Sequence, residues 1–307
     1  PPSTSPGPGG GFLPDSRRGS RFSSNPTVLE SGSASNSRDR NFSPSPFRTC
    51  PVRSLSFASG EESVEEWLEA GLFEGDLSED VEGYLLGRGG KPSTLERIGI
   101  REWRRRPEPA PSEAFRRKYG KYGEAVDGWV AIPVRSIAGR LLGVEFRAWK
   151  EKKVSEFRLP ASAWNPFLID LPRAAETLWR GRGDVWVVEG VYDLFPLDWV
   201  IPEGDAVVST LRAGFARSTV EFFRRYCRTR VHLVYDNDAT GRKATVGWTD
   251  PETGKRRPGA IELLTAAGVR AEDFRYRGKD PGDVWAAGGL PALRKQFVRY
   301  PEARGAA

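Results

Sequence analysis

Between residues 185 and 287, short uninterrupted apolar runs alternate with stretches of helical spacing. The runs lie at 185–188, 206–208 and 231–235, and the helical stretches at 191–199, at 218–227 and from 239 onward. Strands buried on both faces read as continuous apolar runs, and their interleaving with helices predicts βαβ units around a parallel sheet. Upstream the period changes. Val64, Trp67, Leu68 and Leu72 fall on one helical face, and after a break at Gly75 the spacing recurs at Val81, Tyr84 and Leu85, which predicts two short helices. Ser93-Thr94-Leu95-Glu96, following Pro92, reads as a capping box opening a third helix. Strand-like runs at 129–134, 141–149 and 154–159, separated by Ala138-Gly139-Arg140 and a Lys-rich turn, predict a small antiparallel meander. The polar stretch 247–259, with Asp250-Pro251-Glu252-Thr253-Gly254 at its centre, predicts a hairpin inserted before a helix at 260–267.

Residues 1–58 are rich in Ser, Pro, Gly and Arg with few large apolar residues, a composition that predicts a disordered tail. The chain begins Pro1-Pro2 and holds no Met, which is read as an incomplete translation product; the Ser- and Arg-rich start also fits a transit peptide. The expected division is a tail to 58, an α+β subdomain over 59–180, and a parallel-sheet domain over 181–300. The 307 residues are 38% apolar, enough to bury a core. The net charge is +6, but residues 1–60 carry seven Arg against three acids, so the remainder is nearly balanced. Local basic clusters matter more for a polyanion: Arg101 with Arg104–Arg106, then Arg116, Arg117, Lys118 and Lys121, then Lys150, Lys152 and Lys153. Cys50 and Cys227 with the single His232 cannot form a four-ligand zinc site, so carboxylates are expected to hold any essential metal. No run of 18 apolar residues exists, and an intracellular place is expected.

The chemistry-bearing residues fall at predicted strand ends. Glu189-Gly190 closes the first apolar run, with Asp193 one helical turn on, which places Glu189 where the ligand crevice of an open α/β sheet lies; taken alone, the motif reads equally as a capping acid at a strand-to-helix turn. Asp236-Asn237-Asp238 closes the third run. Two aspartates at i and i+2 leaving a strand project to one side, where a hard divalent cation such as Mg²⁺ or Mn²⁺ relieves their repulsion. An Asx turn explains many such pairs taken alone. Asp280 and Asp283 flank Pro281 and read by themselves as helix N-terminal acids. Trp164, Trp179, Trp186 and Trp199 could stack on bases, but core packing is the stronger reading for those in apolar runs, as it is for Tyr235.

Glu189-Gly190-x-x-Asp193, Asp236-x-Asp238 with Gly241-Arg242-Lys243-Ala244, and Gly278-Lys279-Asp280-Pro281 resemble, in order and spacing, the TOPRIM motifs of bacterial-type (DnaG-like) DNA primases. Tyr84-Leu85-Leu86-Gly87-Arg88-Gly89, Thr94-Leu95 and Ile98-Gly99-Ile100 are similar to that family's helical N-terminal subdomain. Ile132-Pro133-Val134-Arg135, Gly139-Arg140-Leu141-Leu142-Gly143 and Arg147 look like its basic strand segment. The resemblance covers about 61–300. It implies an α/β fold in which a TOPRIM parallel-sheet domain joins a smaller α+β N-terminal subdomain, behind the disordered tail. It also implies synthesis of short RNA primers on single-stranded DNA from nucleoside triphosphates during replication, in the cytoplasm of a bacterial or phage-infected cell, with a replicative helicase as partner.

Under that resemblance Glu189, Asp236 and Asp238 hold Mg²⁺ or Mn²⁺, and Asp193, Asp280 and Asp283 extend the cluster to further ions. Arg135, Arg140 and Arg147 face template or triphosphate, while Lys243 and Lys279 screen phosphates. The family's N-terminal zinc module and C-terminal helicase-binding domain have no counterpart here, which suggests a minimal core or a plasmid or phage form needing no zinc. A TOPRIM metal-dependent nuclease acting on DNA or RNA uses the same acids and stays open, as does a binding module.

Overall fold

The computed structural model describes residues 64–104 and 126–297. The expected tail at 1–58, Cys50, and the basic residues at 105–106 and 116–121 lie outside the described residues. Two helices open the described part, α1 (Val64–Glu74) and α2 (Glu79–Gly87), each burying the i, i+4 face that its spacing predicts: Leu68 with Leu72, and Val81 with Leu85. The third, α3 (Pro92–Ile98), starts one residue before the expected capping box. Pro92 fills the first turn, where its missing N–H costs nothing, and no side chain caps the helix. Thr94 instead hydrogen-bonds the Asp198 carboxylate, so the box is replaced by a tertiary contact.

The meander is β2 (Val130–Arg135), β3 (Leu141–Arg147) and β4 (Val154–Arg158), with the two-residue β1 (Arg101–Glu102) added at the β2 edge; all neighbours are antiparallel. Both faces of β2 are covered. Ala131 packs under α1 with Trp67, Leu68 and Trp103, whereas Val130, Ile132 and Val134 turn the other way into a second cluster.

That second cluster is shared with a four-stranded sheet of order β10 (Arg270–Asp273), β7 (Arg230–Val234), β5 (Val185–Val188), β6 (Ala206–Ser209), all pairs parallel. Trp186, Val188, Val207 and Val234 face the meander side, under α5 (Val191–Leu197) and α9 (Pro281–Phe297). Val185, Val187, Val208, Val231 and Leu233 face α4 (Leu171–Arg180), α6 (Arg217–Tyr226) and α8 (Ala260–Ala266). Burial of both faces is the physical reason β5, β6 and β7 read as apolar runs, whereas the edge strand β10, Arg270-Ala271-Glu272-Asp273, is charged and half-exposed and left no such run. Helix α9 is broken at Gly288-Gly289, where the backbone leaves helical geometry.

The connections decide where a site can form. From β5 the chain crosses one face through α5 to β6; from β7 it crosses the opposite face through α7 (Ala239–Val246) and α8 to β10. Adjacent strands β5 and β7 thus send their helices to opposite faces, which opens a crevice at their carboxyl ends. Among the described residues no helix is long and apolar enough to cross a membrane.

Of the four tryptophans weighed above, Trp186 is core, stacked on His232 at 4.2 Å. Trp164 and Trp179 are exposed, and Trp199, at the end of the helical stretch 191–199 rather than in an apolar run, is 39% exposed. Tyr235 is buried. His232 lies between Glu272 (2.7 Å) and Asp184 (3.0 Å) inside the sheet, a structural position.

Candidate functional site

Glu189 follows β5 and Asp236 follows β7, so both stand at the crevice. Ser209 at the end of β6 donates its hydroxyl to the Glu189 carbonyl at 2.9 Å, fixing that strand end. Asp238 is the N-cap of α7: Oδ1 accepts from the N–H groups of Thr240 and Gly241, each at 2.9 Å. Gly241 lies against the strand end so closely that a Cβ there would stand 2.1 Å from the Asp236 carbonyl oxygen. Asp280 caps α9 through the N–H of Asp283 at 2.7 Å, and Asp193 on α5 accepts from Gly282 N–H at 3.3 Å. The helix N-terminal reading therefore describes Asp280, and Asp238, read alone as an Asx turn, also caps its helix; each cap uses one carboxylate oxygen. The structure brings Asp193, Asp236 and Asp280 within electrostatic reach of one another, and Glu189 within reach of Asp236 and Asp238.

Asn237, between the two aspartates, was not foreseen as a functional residue. Its Nδ2 donates to the carbonyls of Tyr276 (2.9 Å) and Gly278 (2.8 Å), and its N–H donates to Lys279 O at 2.7 Å. It ties the Asp236–Asp238 loop to the Lys279–Asp283 segment. The only sequence sign of this was Asn in a strand-end turn.

The charges in the crevice are unbalanced. Burial, then Asp236 and Asp238, pushes the Glu189 carboxyl up to about 7. Burial, then Asp280 and Asp236, does the same to Asp193, also to about 7. Asp236 is raised too, by burial and Asp280, against the pull of Lys279. Lys279 Nζ stands 3.7 Å from Asp236 and 3.6 Å from Asp280, and those carboxylates hold its ammonium above its ordinary range. Glu189 Oε2 is buried without a hydrogen-bond partner. Such an atom is costly unless something satisfies it, and an all-oxygen donor set of this charge suits a hard divalent cation. The ligand shell is not closed: among the described residues no three His, Cys, Asp or Glu side chains already converge on one ion position.

The expected basic residues divide. Arg135 is committed to Glu69 on α1 (2.6 and 2.8 Å) and Arg140 to Glu65 (2.6 Å), so both brace the meander against α1. Arg147 pairs with Glu145 and lies 5.0 Å from the centre of the Tyr192 ring, next to Asp193 in sequence. Arg88, in the Gly87-Arg88-Gly89 turn, lies 5.2 Å from the centre of that ring and acts electrostatically on Asp193; its Nε is buried without a partner. Lys243 lies over Trp248 at 4.8 Å. Lys279 pairs with Asp236 and Asp280, the unforeseen Arg88 acts on Asp193, and Arg147 stands one residue away, at Tyr192.

A parallel sheet with an acidic crevice at its switch point, joined through a shared core to a smaller antiparallel subdomain, defines the class: the fold is that of the DnaG-type primase catalytic core. The zinc-binding and RNA polymerase domains of the Aquifex aeolicus primase superpose with a TM-score of 0.54 at 21% identity, covering 76% of this chain and 59% of that one. The RNA polymerase domain of Mycobacterium tuberculosis primase DnaG in complex with double-stranded DNA gives 0.53 at 18% identity, covering 77% and 79%. A DnaG primase catalytic domain bound to single-stranded DNA gives 0.51 at 15% identity, covering 76% and 78%. No protein-family model and no curated protein matches the sequence.

Proposed function

We propose that the chain is a TOPRIM-type primase core, which joins nucleoside triphosphates into short RNA primers on single-stranded DNA during replication. The observation that carries the reading is Glu189: a buried, unpartnered carboxylate oxygen in the field of Asp236 and Asp238, at the switch-point crevice of a primase-core fold. The similar DnaG domain bound to single-stranded DNA supports the choice of template.

In this reading Glu189, Asp236 and Asp238 hold Mg²⁺ or Mn²⁺, and Asp193, Asp280 and Asp283 extend the cluster. The bound ions supply acidification of the attacking 3′-hydroxyl and neutralisation of the triphosphate. The chain's own groups do the positioning. Asn237 fixes the spacing between the two acidic loops. Lys279 is the internal counter-charge that holds the acids together until cations and phosphates arrive. Arg88 and Arg147, beside Tyr192, present guanidinium groups to the departing diphosphate. A replicative helicase as partner and a cytoplasmic place of action follow from the same reading.

The test supplies single-stranded DNA, Mg²⁺ and labelled nucleotides to the chain. New short labelled oligomers are expected. Metal-dependent shortening of the DNA without synthesis would replace this reading by the nuclease one.

A further inference from the structure

The chemistry proposed above leaves residues 247–259 without a task. Strands β8 (Trp248–Thr249) and β9 (Arg256–Arg257) form an antiparallel hairpin between α7 and α8, with Trp248 opposite Arg257. Residues 251–258 are all exposed. The hairpin is nevertheless braced at its root. Gly247 has φ +78°, and a Cβ on it would stand 2.6 Å from Gly259 N; one on Gly259 would stand 2.2 Å from Gly247 N. The two backbones touch, and glycine is needed at both positions. Arg256 donates to the Val246 carbonyl at 3.1 Å and pairs with Glu262, fastening the root to both helices.

The charges on this braced element are unequal in freedom. Asp250 Oδ1 is taken by the N–H groups of Glu252 (3.0 Å) and Thr253 (3.3 Å) at the turn. Lys243, Lys255 and Arg257 have no ion pair among the described residues, and Lys243 Nζ and Arg257 Cζ lie 4.8 and 5.8 Å from the centre of the Trp248 ring. Cations gathered round an aromatic ring suit a chain that offers phosphates and bases together. Helix α7 connects this element to the acids: its N-cap is Asp238 and its far end is the hairpin root. Eight residues of helix span about 12 Å, or three to four nucleotide steps at about 3.4 Å.

We propose that the 247–259 hairpin is a nucleic-acid contact, in which Lys243 and Arg257 around Trp248, with exposed Lys255 at the turn, hold the polynucleotide three to four nucleotides from the acidic crevice. The inference rests on the proposed polynucleotide chemistry of that crevice. A labelled single-stranded oligonucleotide is titrated with the full chain and with three variants: Lys255→Ala/Arg257→Ala, Trp248→Ala, and a deletion of 248–258 that joins Gly247 to Gly259.

The charge variant is expected to bind about tenfold more weakly, with the slope of log affinity against log salt smaller by about 1.4, two single-strand phosphate contacts at about 0.7 each. Trp248→Ala is expected to lose about fivefold or more with an unchanged slope, and the deletion to combine both losses. Binding and slope equal to the parent chain in the charge variant overturn the proposal; its two residues are exposed, so misfolding cannot mask the result. The two readings fail separately. Synthesis that persists alongside unaltered binding sinks the hairpin alone, and hairpin-dependent binding without synthesis sinks the primase reading alone.

Discussion

Glu189 and Asp193 carry the account at the scale of the residue. Both titrate near 7, against ordinary values of 4.5 and 3.8, so between about pH 4 and pH 7 the folded chain binds more protons than the unfolded one. Their contribution to stability is therefore present below pH 4 and lost as pH rises towards 7. Buried Asp170, raised to about 6, adds a loss of the same sign that no ion in the crevice relieves. In chelator the melting temperature should fall between about pH 5 and pH 8, and added Mg²⁺ should restore more at pH 8 than at pH 5. Glu189→Gln should flatten the fall and shrink the Mg²⁺ shift; thermal melts of both proteins at both pH values decide, and an equal Mg²⁺ shift everywhere would contradict the cluster. The acids themselves were legible, because strand-end position and i, i+2 spacing are local. Asn237 was not, because its partners are carbonyls at Tyr276, Gly278 and Lys279, which only the fold brings near.

At the scale of the element, α7 presents Asp238 and turns the chain away from β7 within a few residues, with Gly241 as the point of contact. Gly241→Ala places a Cβ against backbone rather than a yielding side chain, so α7 must shift. A loss of about 1–3 kcal/mol is expected, read by denaturant unfolding, together with a fall in synthesis larger than stability explains. Asn237→Ala should cost about 1–2 kcal/mol for its two side-chain bonds to the 276–280 loop and lower synthesis about tenfold; unchanged activity would show that the loop keeps its place without them. The helix–strand alternation and the inserted hairpin were readable, because burial on two faces and a polar turn each leave a plain pattern. The capping box at Ser93 was not a cap. Pro92 already satisfies the first helical position, and Thr94 finds Asp198 in another element.

At the scale of the whole molecule, the helical subdomain and the parallel sheet share one apolar cluster and are fastened by polar ties. Trp199 donates to Gly89 O at 2.8 Å and Trp285 to Gly87 O at 3.0 Å, their rings stacked at 6.2 Å. Arg97 on α3 reaches both Asp170 (2.9 Å) and Asp198 (3.2 Å). These ties hold the turn that carries Arg88 beside Asp193. Trp285→Ala should lower stability by about 2 kcal/mol, roughly 4–8 °C in melting temperature, and raise the nucleotide KM through Arg88; a stability loss with unaltered KM would mean the turn is held by other contacts. None of these ties was visible in the sequence, since each joins residues at least 73 positions apart.

If one acidic crevice joins nucleotides, as proposed, Asp236→Asn/Asp238→Asn should abolish the joining while leaving the fold intact, because Asn keeps the α7 cap and removes both charges. Incorporation of labelled nucleotides on single-stranded DNA should drop by roughly three orders of magnitude or more, with folding and DNA binding retained. Incorporation at the parent rate in that variant would contradict the account.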